Sequence, residues 1–370
     1  MILLLFGFIL LFITILQAYI PRFLKPTIVF GVNVPEQHEK DKEILQLKNR
    51  YTAVVLFGGL VIFAGYIAWA LLQNPQEEVL ALVSVGIQIG VLFLSVAYYF
   101  IMHTKMKKLK EKRRWFSDKN EVKVVDLGFQ EKLQLLPRIL FIIPMIVSIG
   151  LIFYTLIKYP QMPDMIPTHW GPTGEADAFS EKSYLTVISL PLILLIMQVM
   201  FLFTSEGIKM SGTSISPQRK KTSVKQQLAF RKYSSWLSFV MSVGVTLLMG
   251  YLHLQTIHPE ITSSLVMIAL PIGFLVLAFA SVAIFTVKVG QGGSRLKVGE
   301  EEVVAGNPHS TSVDDDRFWK GGIFYINKDD PSVFVEKRFG VGWSVNFARP
   351  LAWLFILGPI VLIIGISFLL

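Results

Sequence analysis

Apolar residues in this chain fall in eight long blocks separated by polar connections, unlike the short alternating runs of a water-soluble fold. The blocks cover residues 1–20, 52–72, 79–101, 138–157, 183–203, 235–253, 264–287 and 351–370. A helix of about 20 residues crosses roughly 30 Å of hydrocarbon, and every block reaches about that length. Backbone groups inside lipid must be bonded within their own segment, and these runs lack the period-two alternation of a barrel strand, so the pattern predicts helices. The first block has no Lys or Arg before Arg22 and no small-residue cleavage site, which favours a membrane helix over a signal peptide. The expected fold is an all-α polytopic membrane protein of about eight transmembrane helices, with a small β-containing cytoplasmic segment before the last helix.

Composition agrees with that pattern: of 370 residues 53% are hydrophobic and only 16% charged, against about a quarter charged in ordinary globular chains. The absence of Cys excludes disulfides, thiolate nucleophiles and Cys-ligated metals. Charge then sets orientation. The connections 21–51, 102–138, 204–234 and 288–350 hold 6, 11, 7 and 9 of the 35 Lys and Arg, and the alternate connections hold only Lys158 and Lys182. The positive-inside rule makes the four basic connections cytoplasmic and puts both termini outside, in a cell membrane. The outer connections carry 2 basic and 7 acidic residues, net −5, and the inner ones 33 basic and 19 acidic, net +14. An outer surface of that sign draws cationic peptides, and the inner one suits anionic lipid headgroups.

The predicted spans hold no Asp, Glu, Lys or Arg at mid-depth, where ion-coupled carriers place an ionisable group. Their polar residues are neutral: Ser84, Gln88, Ser95, Ser148, Gln198, Ser242 and Thr246. Such groups are expected to hydrogen-bond between helices. The chain divides into three N-terminal helices with basic loops (1–137), a helix–loop–helix unit (138–203), two further helices (204–287), a linker (288–313), a strand-rich cytoplasmic segment (314–349) and the last helix (350–370).

The only sizeable outer connection, 158–182, is stiffened by Pro160, Pro163, Pro167 and Pro172. It presents His169, Trp170, Glu175 and Asp177 as candidate ligand or recognition residues. Their spacing matches no standard metal motif, and nothing in the chain calls for a cofactor. General acid–base chemistry by His169 with Glu175 or Asp177 would require their convergence on one substrate atom. The run Ile166-Pro167-Thr168-His169-Trp170, followed by Gly174, Glu175 and Asp177, resembles the I-P-T-H-W and G-E-x-D signature of a bacterial domain of unknown function. That domain is shared with Sdp-type immunity proteins, which protect cells from a secreted peptide toxin and take part in signalling. The resemblance implies a membrane location and no catalytic role.

After Asp314–Asp316 the last connection changes texture, and 324–326, 333–335 and 343–347 read as short strands joined by turns at 327–331 and 339–342. This stretch resembles a second uncharacterised domain of bacterial membrane proteins, patterned W-K-x-G-x-F-Y-x-N-x-x-D-P. The resemblance singles out Trp319, Tyr325, Asn327, Asp330, Pro331, Trp343 and Asn346, with Asn327 and Asp330 simplest as turn formers. Phe30-Gly31-Val32 recurs as Phe339-Gly340-Val341, too short to be a repeat. The basic run 105–114 follows the third helix directly and is expected to meet anionic lipid, not nucleic acid. Residues from Gln37 onwards are expected to form a surface helix with Ile44, Leu45 and Leu47 towards the membrane.

These features favour a non-enzymatic membrane protein of sensor or immunity type. Its partners would be membrane lipids, a cationic envelope-active peptide outside and a cytoplasmic regulator inside. The alternative is a permease or lipid carrier for a neutral or amphipathic solute, with a cavity lined by Gln88, Gln198 and neighbouring hydroxyls.

Overall fold

The computed structural model describes residues 2–116, 120–121, 128–171, 176–213, 215–216, 219–298, 310–311 and 314–368. Among these residues eight α-helices carry the fold: α1 (Ile2–Phe23), α2 (Lys42–Gln73), α3 (Glu77–Lys112), α4 (Arg138–Lys158), α5 (Tyr184–Met210), α6 (Lys220–Ile257), α7 (Ser264–Ile284) and α8 (Pro350–Phe368). The first seven are long and apolar enough to cross a membrane, α7 continuing through a π-turn at Phe285–Val289; α8 is a shorter apolar helix. The chain is thus an all-α polytopic membrane protein.

Helices α2, α3 and α6 overrun the predicted blocks at their basic ends. No Gly or Pro interrupts 42–57, 91–112 or 220–243, and the Lys, Glu, Gln and Arg there are good helix formers, so nothing stops the helix at the membrane surface. At 36 residues α3 is about 54 Å long, well over the hydrocarbon thickness. The same continuity corrects the expected surface helix. Residues 36–38 form one 3-10 turn, and from Lys42 the chain is already α2. Ile44 is fully buried because it shares a face with Tyr51 and Val55, seven and eleven residues on, and packs with Tyr99, Met102 and Met106.

Helices α1, α2 and α3 pack on one another, as do α4, α5 and α6. Helix α7 lies against α6 and reaches α1 through Phe279, 4.5 Å from Phe12, while α8 meets α5 through Phe355 and Phe203. Lipid removes the hydrophobic drive between helices, so small residues and hydrogen bonds must hold them. Thr52 Oγ1 donates to the Ala18 carbonyl at 2.9 Å, and Gly59 leaves room for Thr14. Gln198 Nε2 donates to Thr246 Oγ1 (3.0 Å), and its Oε1 accepts from Ser242; Ser205 meets Ser235. Gln88 and Ser148 bond inside their own helices instead.

Among the described residues, ten short strands form two-stranded ladders. The antiparallel ones are β1 (Ile28–Val29) with β2 (Val32–Asn33), β4 (Met165–Trp170) with β5 (Ala176–Glu181), β7 (Trp319–Lys320) with β8 (Phe324–Tyr325), and β9 (Phe334–Glu336) with β10 (Trp343–Val345). The remaining pair, β3 (Asn120–Glu121) and β6 (Ser310–Thr311), is parallel. A bridge between Tyr325 and Asn346 joins the β7–β8 and β9–β10 hairpins.

Candidate functional site

The connection between α4 and α5 is a β-hairpin, with Met165 opposite Glu181 and Trp170 opposite Ala176. Register breaks around His169 leave Thr168 and Asp177 as the extra residues, and such bulges re-aim side chains. His169 Nδ1 lies 2.5 Å from Asp177 Oδ1, both side chains exposed. Met165 and Phe179 are each about half exposed, and Asp164 and Glu181 are exposed beside them. The hairpin therefore presents apolar and acidic groups together. Glu175 lies outside the described residues. Among the described residues no three His, Asp or Glu side chains gather into a metal-binding group, and His169 is paired within its own hairpin.

The hairpin base is pinned. Ile166 is buried with Met162 and Val187. Lys182 Nζ donates to the Met162 carbonyl (2.7 Å) and lies 4.9 Å from the centroid of the Tyr159 ring, which stacks on Tyr184 at 4.2 Å. Ser183 then caps α5 by accepting from the Thr186 amide at 3.0 Å. Helix α5 runs unbroken from this base for 27 residues, about 40 Å.

The far end of α5 is gripped by the C-terminal segment and by Arg231 of α6. Gly207 has no side chain where the Phe334 ring sits; a Cβ there would lie 2.5 Å from the ring. Arg231 is fully buried and donates to the carbonyls of Ile208 (2.8 Å), Ser211 (3.0 Å) and Gly212 (3.0 Å). These are orphan acceptors at the negative end of the helix dipole, which accounts for a buried cation bonded to carbonyls. Its guanidinium also sits 4.9 Å from the Phe129 ring and 5.3 Å from the Trp343 ring.

Inside the C-terminal segment Tyr325, Asn327, Asp330 and Asn346 converge into one hydrogen-bonded knot. Fully buried Asn346 accepts from the Asn327 and Ala348 amides and donates to the Asn327 and Asp330 carbonyls, using its full capacity. Tyr325 donates to Asp330 Oδ2 (2.9 Å) and accepts from Asn327 Nδ2 (3.1 Å), and burial pushes its phenol pKa up. Asn327 and Asp330 each close a turn by accepting a backbone amide two residues on. Trp319 is buried against Tyr325 and donates to Asp315. Trp343 faces away from this knot and packs on Phe230 of α6.

The segment also docks on the first three helices. Lys110, near the end of α3, pairs with Asp314 (2.6 Å) and Asp316 (2.5 Å), and Arg338 pairs with Asp315 and Asp316. The β1–β2 turn enters the same lock, as Asn33 bonds Asp315 and Asp316 and the Gly31 carbonyl accepts from Arg338 (2.8 Å). Burial raises the Asp316 pKa, but Arg338 and Lys110 outweigh it and leave the carboxyl below the usual range. Gly31 has φ +75°, and a Cβ there would meet the Gly322 Cα at 2.6 Å. Phe30 and Phe339, from the two echoed tripeptides, both pack on Tyr51 and Tyr99. Part of the basic run 105–114 is thus engaged within the chain. At the start of the expected linker, Gly290–Gly293 are buried, and Gln291 exchanges two hydrogen bonds with Gly342.

The sequence singles out the residues of the knot and of the hairpin but not the contacts among them, and it does not point to Arg231, Lys110, Arg338 or Gly207 individually. The usable signals were three consecutive Asp residues answering a basic helix end, and the repeated Phe-Gly-Val.

Residues 140–195, covering most of α4, the hairpin and the start of α5, match the model of a domain of unknown function, DUF1648. Residues 328–353, from the knot to the first turn of α8, match that of a family of unknown function, DUF5808. No curated protein and no solved structure matches the chain.

Proposed function

We propose that this chain is a non-enzymatic membrane sensor or immunity protein, in which the hairpin meets a cationic envelope-active peptide and α5 relays that contact to the docked C-terminal segment. The observation that carries this reading is the continuity of α5: its first turn grows out of the hairpin base, and its last turn is held by Arg231 and Phe334. The paired, half-apolar and acidic hairpin surface supports a cationic amphipathic ligand, and the ion-paired segment supports a releasable signal to a cytoplasmic regulator. The charge distribution supports a bacterial cell membrane setting with the hairpin outside and the basic ends inside. The carrier reading is supported less well, because Gln88 lies on α3 and Gln198 on α5, each with its own partner.

The test is a deletion strain challenged with a panel of cationic amphipathic peptides. The deletion should change sensitivity or the transcriptional response to at least one peptide; wild-type chain should restore it, and His169→Ala and Asp177→Asn should not. Unchanged sensitivity and transcription in the deletion strain refute the reading. Orientation is checked separately: the chain has no Cys, so a thiol placed at exposed Asp164 should label with an impermeant maleimide in intact cells, and one at exposed Asp329 should not. The reverse pattern inverts the topology.

A further inference from the structure

Between α4 and α6 lies an open groove of about 420 Å³, within the roughly 300–1,000 Å³ usual for small-molecule sites. Ile143, Val147 and Leu151 form one wall; Leu247, Gly250 and Leu254 form the other. The Thr246 hydroxyl on its surface donates to the Ser242 carbonyl at 2.8 Å, so the lining stays apolar. From 143 to 151 the helix rises about 12 Å, close to one leaflet's share of the hydrocarbon.

Polar groups gather at one end. Tyr154 follows Leu151 by three residues on α4, and His258 directly follows the last residue of α6, placing both at the hairpin end of the groove. Tyr154 Oη lies 2.6 Å from His258 Nε2, and His258 Nδ1 lies 2.8 Å from Glu260 Oε1. Glu260 is 69% exposed. Lys158, four residues after Tyr154, donates to Gln161 and lies within electrostatic reach of Glu260. The other end is bounded by Ile143 and Pro144.

A slot apolar along its length and polar at one mouth matches an amphiphile with a single head. A mouth carrying both a carboxylate and an ammonium matches a zwitterionic head. We infer that the α4–α6 groove holds an acyl chain of an aminophospholipid from the hairpin-end leaflet, its ammonium facing Glu260 and its phosphate facing Lys158. This site is independent of peptide recognition by the hairpin.

The test uses the full chain exchanged into detergent with equal phosphatidylethanolamine and phosphatidylglycerol, followed by native mass spectrometry. Wild type should retain one phosphatidylethanolamine in preference to phosphatidylglycerol. Gly250→Leu should lose it: a Cβ there has room, its nearest contact being Leu151 at 3.8 Å, so the longer side chain enters the groove. Gly86→Leu, on an open face of α3, should retain the lipid. Exposed Glu260→Gln, which does not threaten folding, should reduce the headgroup preference about tenfold, the scale of one charge-assisted hydrogen bond. Equal retention of the two lipids by wild type, an unchanged preference in Glu260→Gln, or equal lipid loss in the two glycine variants would overturn the inference and leave ordinary boundary lipid.

Discussion

Replacing Arg231 with Met tests the grip on α5 most directly. The substitution keeps an unbranched side chain of similar reach but removes all three hydrogen bonds to the end of α5. Gly212 is exposed, so water can replace its bond, whereas Ile208 and Ser211 are buried. The Ile208 carbonyl keeps the hydrogen bond it accepts from Ser211 Oγ at 2.8 Å, so losing Arg231 there costs about 1 kcal/mol. Leaving the Ser211 carbonyl unpaired costs about 1–3 kcal/mol, and losing the cation–aromatic contact with Trp343 adds about 1 kcal/mol. Against this, Met relieves the desolvation of a buried guanidinium, an offset of about 2 kcal/mol when the cation is already well bonded. The net expectation is about 2 kcal/mol lost from docking of the β9–β10 hairpin. That corresponds to roughly 30-fold faster hydrogen exchange at the paired amides of Phe334–Glu336 and Trp343–Val345, with α2 unchanged. Arg231→Lys, retaining charge without the planar fork, should fall between. A change under about threefold in the Met variant, or an equal increase in α2, would refute the assignment of Arg231 as the clasp.

Gly31→Ala combines a left-handed backbone with a backbone clash against Gly322 and should cost about 3 kcal/mol, read as increased protease cleavage of the C-terminal segment; Gly150→Ala, in open space, should be silent. Gly207→Ala should cost about 1–3 kcal/mol by the same measurement, because Phe334 must leave its seat. The ion lock should weaken in acid: Asp316 is depressed in the folded state, so its stabilisation is complete above the unfolded Asp value near 4 and disappears as pH falls below it. Exchange at β7–β8 followed from pH 7 to pH 2 should show that loss, absent in Asp316→Asn, and loosening already complete at pH 5 would contradict it. His169→Ala removes an exposed pair and should change thermal stability by less than about 1 kcal/mol, so a lost phenotype in that variant reports recognition and not unfolding.

The spans were legible because a bilayer imposes one rule on every residue within it: backbone groups must bond locally and side chains must be apolar. Helix ends were less legible. Ile44 reads as membrane-facing beside the charges of 36–50, yet continuous helix from Lys42 turns it inward beneath Tyr51. The hairpin residues were visible as a motif, but their pairing was not, since the bulge that brings His169 to Asp177 depends on strand register.

The sequence by itself determined the membrane class, the order of the helices and the short strands near the end, because each follows from local hydropathy, helix propensity or turn chemistry. Only the tertiary structure decided that Asp314–Asp316 meet Lys110 and Arg338, that Arg231 closes α5, and that Gly31 and Gly207 admit the C-terminal segment. Those contacts join residues as much as 307 positions apart. Complementary charge and shape at such separations are set by how the helices pack, and a linear pattern carries no measure of that.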